Sequence, residues 1–216
     1  MVTYSFDTAI TAAGSTGIRS LKDNVLDEFS TGPIVLATPS SFPFTDAFTQ
    51  DSGTQLAREW TERQGNFNVS NNRLVANAAS VSLATINGVS LGDVAVQADI
   101  AVGANQVAGL ITRYQANGNY YLAQVNSNST GTAFTANIYK CVAGTLTRLN
   151  ATPALLASGT GALRFEVVGT SLKLYFGADA ASLTLAVNVV DSTLTAAGLV
   201  GIRANKNATL DTFTFE

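Results

Sequence analysis

Side chains from Ala108 to Val125 alternate between two faces on both sides of a polar turn. In the first run Leu110, Thr112 and Tyr114 share one face, and Ile111 and Arg113 the other. Gln115–Asn119, containing Asn117-Gly118, then interrupts the pattern. Beyond it Tyr121, Ala123 and Val125 face one way, and Tyr120, Leu122 and Gln124 the other. Period-two alternation around Asn-Gly predicts an antiparallel hairpin, because that dipeptide accepts the positive φ values of a tight turn. The polar face of the hairpin gathers Arg113, Tyr120 and Gln124. A second hairpin is predicted downstream. Leu163, Phe165 and Val167 alternate before Val168-Gly169-Thr170, and Leu172, Leu174 and Phe176 alternate after it.

The same reading extends from Phe42 to Phe215. Phe42 and Phe44 begin an edge strand. Asn66–Val69 and Arg73–Ala76 flank the Asn71-Asn72 turn. Val81–Thr85, Asp93–Val102, Ala133–Val142, Leu146–Leu149, Leu183–Val189, Gly198–Arg203 and Leu210–Phe215 complete the set. Gln55–Glu62 reads as either a short helix or an extended stretch around Trp60. Helix-length periodic segments are missing between these short strands, so the pattern predicts an all-β antiparallel two-sheet sandwich and not βαβ units. The similarity of GLITR at 109–113 to GLVGIR at 198–203 suggests two equivalent sheet positions.

Met1–Ser41 is patterned differently. Val2, Tyr4 and Phe6 suggest a short strand, and Ala12–Gly17 a turn. Ser20 followed by Asp23 resembles a capping box. Leu21, Val25, Leu26 and Phe29 then make one apolar face on a helix of about two turns, too short to persist alone in water. That face needs a surface, either this chain's own sandwich or a partner. Pro33, Pro39 and Pro43 favour extended backbone and remove ladder donors. The chain therefore divides into an N-terminal arm with a Pro-rich connector, 1–41, and a sandwich domain, 42–216.

Composition narrows the chemistry. Only 12% of the 216 residues are charged, against a typical ~25%. Thr, Ser, Asn and Gly fill the polar positions, so the surface is neutral and hydroxyl-rich. With a net charge of −3 and no Lys/Arg cluster, a nucleic-acid partner is not expected. Histidine is absent, which removes the common general base at neutral pH and the Ser-His-Asp arrangement. The single cysteine, Cys141, has no intrachain disulfide partner and reads as a small buried apolar residue. No secretion signal and no apolar run of membrane-spanning length is visible, so membrane insertion is not expected.

The combined pattern resembles the concanavalin A-like, laminin-G-like jelly-roll superfamily. The resemblance rests on FTDAF at 44–48 with Trp60, GNFNVSNNRL at 65–74, the GLITR…NYY hairpin, LRFEVVGTSLKLYF at 163–176, and DSTLTAAGLVGIR at 191–203 running into LDTFTF at 210–215. It does not extend to Met1–Ser41. It implies two curved antiparallel sheets with Phe44–Phe48 beside Leu210–Phe215. Because many members of the superfamily bind Ca²⁺, Asp46 and Asp211 become candidate ligands for a structural calcium ion, a hard cation that takes carboxylate and carbonyl oxygens. A glycan groove would draw on Arg113, Tyr120 and Gln124, with Tyr139 and Arg164 from neighbouring strands. Aromatic rings stack on sugar faces, while arginine and glutamine make directed bonds to hydroxyls. The simpler reading has the arginines as exposed sheet residues whose stems cover apolar surface.

Glycoside hydrolysis usually needs two positioned carboxylates. The only glutamates are Glu28, Glu59, Glu62, Glu166 and Glu216, and the E-x-D-x-x-E pattern of the laminarinase-like members is missing. Glu59 and Glu62 would share a face only in a helix. No catalytic role is expected. Two functions follow. One is a structural or decoration protein of a virus particle, here a bacteriophage, displaying the lectin-like sandwich on the virion surface. Its arm would attach it to other virion proteins or to copies of itself. The other is an extracellular carbohydrate-binding module recognising cell-surface glycans through the aromatic and arginine face.

Overall fold

The computed structural model describes residues 37–39, 42–49, 55–78 and 80–216. The candidate helix face of Leu21, Val25, Leu26 and Phe29 lies outside them. The described residues form strands throughout. The first six are β1 (Phe44–Asp46), β2 (Trp60–Gln64), β3 (Phe67–Ser70), β4 (Arg73–Ala76), β5 (Ser82–Ile86) and β6 (Val94–Ala101). The focal hairpin is β7 (Val107–Tyr114) and β8 (Tyr120–Ser127), followed by β9 (Phe134–Val142), β10 (Thr145–Arg148) and β11 (Ala154–Leu156). The second hairpin is β12 (Thr160–Val168) and β13 (Ser171–Gly177), and the chain closes with β14 (Thr184–Val190), β15 (Leu199–Ala204) and β16 (Thr209–Phe215).

Two antiparallel sheets result. The first has the order β14-β13-β12-β6-β16-β4-β3, with β1 also pairing β16. The second has the order β10-β9-β8-β7-β15-β5-β2, with β11 also pairing β9. The first and last strands pair as expected, Phe44 opposite Phe215 and Asp46 opposite Phe213. Asn71 and Asn72 have φ of 52° and 56°, the values a two-residue hairpin turn requires. The two similar segments at 109–113 and 198–203 lie in adjacent strands, with Gly201 opposite Ile111. Gln55–Glu62 ends as a turn and then β2, with Trp60 buried. The short strand Ala154–Leu156 carries too little alternation to be seen in the sequence.

Alternation places one face of each sheet in a shared core. Phe48, Phe67, Phe165, Phe213 and Phe215 are fully buried there, and each such side chain contributes roughly 1.5–3 kcal/mol of hydrophobic stabilisation. Trp60 meets Phe213 edge-on at 4.8 Å between centroids. A second, smaller apolar cluster lies on the other side of the second sheet. It comprises Leu83, Ile111, Tyr120, Leu122 and Cys141, with Tyr114 and Tyr139 packed against it. Apolar side chains on the outward side of a sheet are the less expected finding, because that side of an antiparallel sheet is commonly solvated.

Candidate ligand-binding face

The outer face of the second sheet is shaped by one irregularity in β7. Arg113 has a φ of 51°, and pairing with β15 skips from Gly201↔Ile111 to Leu199↔Tyr114. This is a β-bulge, which inserts a residue and re-aims the side chains beyond it. Regular alternation would set Tyr114 with Leu110 on the core side. The bulge instead returns Tyr114 to the outer face with Ile111, where its ring stacks on Tyr120 at 5.9 Å and 21°.

The same bulge turns Arg113 away from that face, correcting the expectation that it contacts a ligand. Its side chain is 2% exposed. It donates through Nε to the Gly92 carbonyl, through Nη1 to Leu194 and through Nη2 to Gly169, each at 2.8 Å. Asp93 lies 3.5 Å from Nη2 and accepts the Gly169 N–H. A buried guanidinium is tolerated only when its donors are met. Here they are spent on binding the β12–β13 turn of the first sheet to β7 of the second.

Arg164 is corrected as well. It belongs to β12 in the other sheet and pairs with Glu216 at 2.8 Å, so it cannot share a groove with Tyr120. Tyr120, Gln124 and Tyr139 do lie on one face. Tyr139 is opposite Leu122 and accepts a hydrogen bond from Asn126, and Gln124 bonds the same Asn126. Gln124 Oε1 also accepts from Arg203 Nη1 at 2.5 Å.

Around Tyr114 and Tyr120 opens a cleft of about 320 Å³. One wall is Arg63 and Gln64 of β2 with Val81 and Leu83. The other is Leu146 with the turn glycines Gly118 and Gly144, and Arg203 and Cys141 contribute to the lining. Arg63 donates through Nε to Thr85 at 3.0 Å, and its guanidinium sits 5.6 Å from the Tyr114 ring centre. Burial pushes the Tyr120 hydroxyl up to about 12, with the Arg203 charge acting in the opposite direction. The phenol therefore stays protonated and neutral across physiological pH. Arg63, Tyr114 and Arg203 escaped the sequence reading. The usable signal was the GLVGIR repeat of GLITR. The arginine of the second copy keeps the outward position that the bulge denies to the first.

The candidate metal pair is not assembled. Asp46 accepts from the Phe48 amide through Oδ1 and from the Trp60 indole through Oδ2, each at 2.8 Å. Asp211 accepts from the Thr212 amide, and Arg73 lies 3.8 Å from its carboxylate. The register puts Phe213, not Asp211, opposite Asp46 and sets Asp211 opposite Asp99. Burial and then the Asp211 charge push the Asp99 carboxyl up. Among the described residues no three His, Cys, Asp or Glu side chains group to hold a metal. The described glutamates are dispersed. Glu62 accepts the Phe67 amide at 2.6 Å, Glu166 meets Lys173 at 3.5 Å, and Glu216 meets Arg164. Glu59 precedes the strand that carries Glu62, so no helix brings the two onto one face.

No family model matches the chain, and no curated protein matches it. Solved structures do. It is similar to the carbohydrate-binding module CBM66 from Bacillus subtilis, at 19% identity over 73% of this chain and 95% of that one, with a TM-score of 0.57. It is similar to the GH43 BlXynB protein from Bacillus licheniformis at 13% identity over 79% of this chain, TM-score 0.58, and spans 38% of that protein's length. The CBM2 module of the Lactobacillus casei BL23 phage J-1 evolved Dit matches at 11% identity over 80% of this chain and 93% of that one, TM-score 0.56. The described residues thus form a two-sheet antiparallel sandwich that resembles the fold of these modules, with tyrosines and arginines on the outer face of the second sheet.

Proposed function

We propose that this domain is a non-catalytic carbohydrate-binding module whose sugar site is the outer face of the second sheet. The observation that carries the reading is the stacked pair Tyr114–Tyr120 in the floor of an open cleft edged by Arg63, Gln64 and Arg203. A sugar ring presents C–H faces that pack on aromatic rings, and hydroxyls that need directed donors and acceptors. The cleft offers both. A few such contacts support a dissociation constant on the order of 0.1 mM, about −5.5 kcal/mol. Similarity to a module described as carbohydrate-binding supports the reading. Glycans of this kind lie outside cells, so the site of action is extracellular.

A broad glycan array probed with the full chain and with Tyr114→Ala tests it. Binding that the substitution weakens about tenfold is expected. Silence across the array would remove the reading.

A second reading mounts the module on a virus particle, with residues 1–41 attaching it to other virion proteins or to copies of itself. Its support is the phage Dit module among the similar structures and the apolar face of Leu21, Val25, Leu26 and Phe29 in the sequence. Loss of self-association and of particle attachment on deleting residues 1–41 is the expected result, and unchanged behaviour removes this reading.

A further inference from the structure

The cleft contains two cations and no acid. Among the described residues, Arg73, Arg113, Lys140, Arg164 and Lys173 each lie within 4.0 Å of a carboxylate. Arg58, Arg63, Arg148, Arg203 and Lys206 belong to no such pair, and of these Arg63 and Arg203 line the cleft together. None of its lining residues is aspartate or glutamate. Glu62, the acid next to Arg63 in sequence, is turned onto the Phe67 amide. In a protein of net charge −3, this is a local reversal of sign.

Each guanidinium is also anchored at one end. Arg63 is held by Thr85 and the Tyr114 ring, and Arg203 by Gln124. Neither needs to give up an ion pair to meet a ligand. A planar guanidinium presents its remaining N–H groups as a fork that matches a carboxylate. A neutral sugar would use the rings and leave both charges without a counter-ion. A negative group on the sugar would supply that counter-ion.

We propose that the sugar bound here carries a carboxylate, making the ligand a uronic-acid-containing glycan. Its ring packs on Tyr114 and Tyr120, and its carboxylate is taken by Arg63 and Arg203. This rests on the glycan reading above.

Calorimetric titration of the full chain with oligosaccharides of polygalacturonate, alginate and glucuronoxylan, each paired with its carboxyl-reduced form, tests the assignment. At least one uronate should bind, with its reduced partner about tenfold weaker. Arg63→Gln and Arg203→Gln should each weaken the uronate about tenfold, and the reduced sugar, which loses only a donor to a hydroxyl, no more than about threefold. Arg63 is exposed, so its variant remains informative even if Arg203→Gln unfolds. Equal binding of reduced and acidic forms overturns the carboxylate assignment, as does insensitivity of uronate binding to Arg63→Gln. A preference for sulfated sugars without carboxylates overturns it too. Tyr114-dependent binding to neutral glycans alone overturns it while the glycan reading stands. Silence with these sugars and on the broad array overturns both.

Discussion

Arg113 gives its guanidinium to three backbone carbonyls drawn from three separate segments. Hydrogen bonds from a charged donor are worth about 1.5–3 kcal/mol each, less the cost of burying the charge. Arg113→Met should lower unfolding free energy by about 3 kcal/mol while leaving glycan affinity of the folded fraction within twofold, read by urea denaturation and calorimetry. Tyr114 should behave in the opposite way. Its stacking on Tyr120 is worth about 0.5–1.5 kcal/mol, so Tyr114→Ala should cost little stability and most of the binding. Tyr120 keeps its proton up to about pH 12 and the chain has no histidine. Affinity for a neutral sugar should therefore change less than about twofold between pH 6 and 8, by titration at both.

At the scale of elements, the segment from β14 to β15 carries the chain from one sheet to the other and is tied down at Asp191. Its carboxylate accepts from the Tyr121 hydroxyl at 2.6 Å, from Lys140 at 2.8 Å and from the Thr193 amide at 2.8 Å. The Tyr121 hydroxyl in turn accepts the Leu194 amide. Burial works to raise the Asp191 carboxyl, but these donors together outweigh it and hold it well below the usual carboxylate range. A group depressed in the folded state stabilises fully above its unfolded value, 3.8, and loses that contribution as pH falls through the folded value. Asp191→Asn should therefore cost about 2 kcal/mol at pH 7, and the gap from the native protein should narrow as pH falls below about 4, measured by urea midpoints. β15 gives a second test. A Cβ on Gly201 would lie 2.0 Å from the Ala84 carbonyl oxygen of β5. Backbone in a paired strand cannot retreat cheaply, so Gly201→Ala should lower the denaturation midpoint by an amount equivalent to roughly 1–3 kcal/mol.

For the whole molecule, the distribution of charge matters more than its sum. Among the described residues five cations are matched to nearby acids, and two of the five unmatched ones, Arg63 and Arg203, share a cleft on one outer face. The Debye length falls from about 10 Å at 0.1 M salt to about 3 Å at 1 M. Raising salt over that range should weaken binding of an acidic glycan several-fold and leave a neutral one nearly unchanged. The sandwich supplies the rigidity for this. Arg113 and Asp191 join its two sheets at one end, and Tyr114, Tyr120 and Arg203 of the site sit on strands paired on both sides, while Arg63 lies on the edge strand β2.

Alternation and turn chemistry were enough to determine an all-β sandwich, its two long hairpins and the Asn71-Asn72 turn, whereas the pairing of the first strand with the last followed from the superfamily resemblance. Alternation also set Tyr120 and Gln124 on one face, because side-chain direction along a regular strand is local and has period two, while Tyr139 joins them through the pairing of β8 with β9. The roles of the arginines were not legible. One extra residue in β7 reverses every direction beyond it, and that bulge exists only in the pairing of Leu199–Gly201 with Ile111–Tyr114, some ninety residues away in the chain. It buried Arg113 and brought Tyr114 outward. Sheet membership put Arg164 on the opposite side of the molecule, and register gave Asp46 to Trp60 and Phe48 in place of Asp211. These are contacts between distant segments, which strand alternation does not encode and only the packed tertiary structure decides.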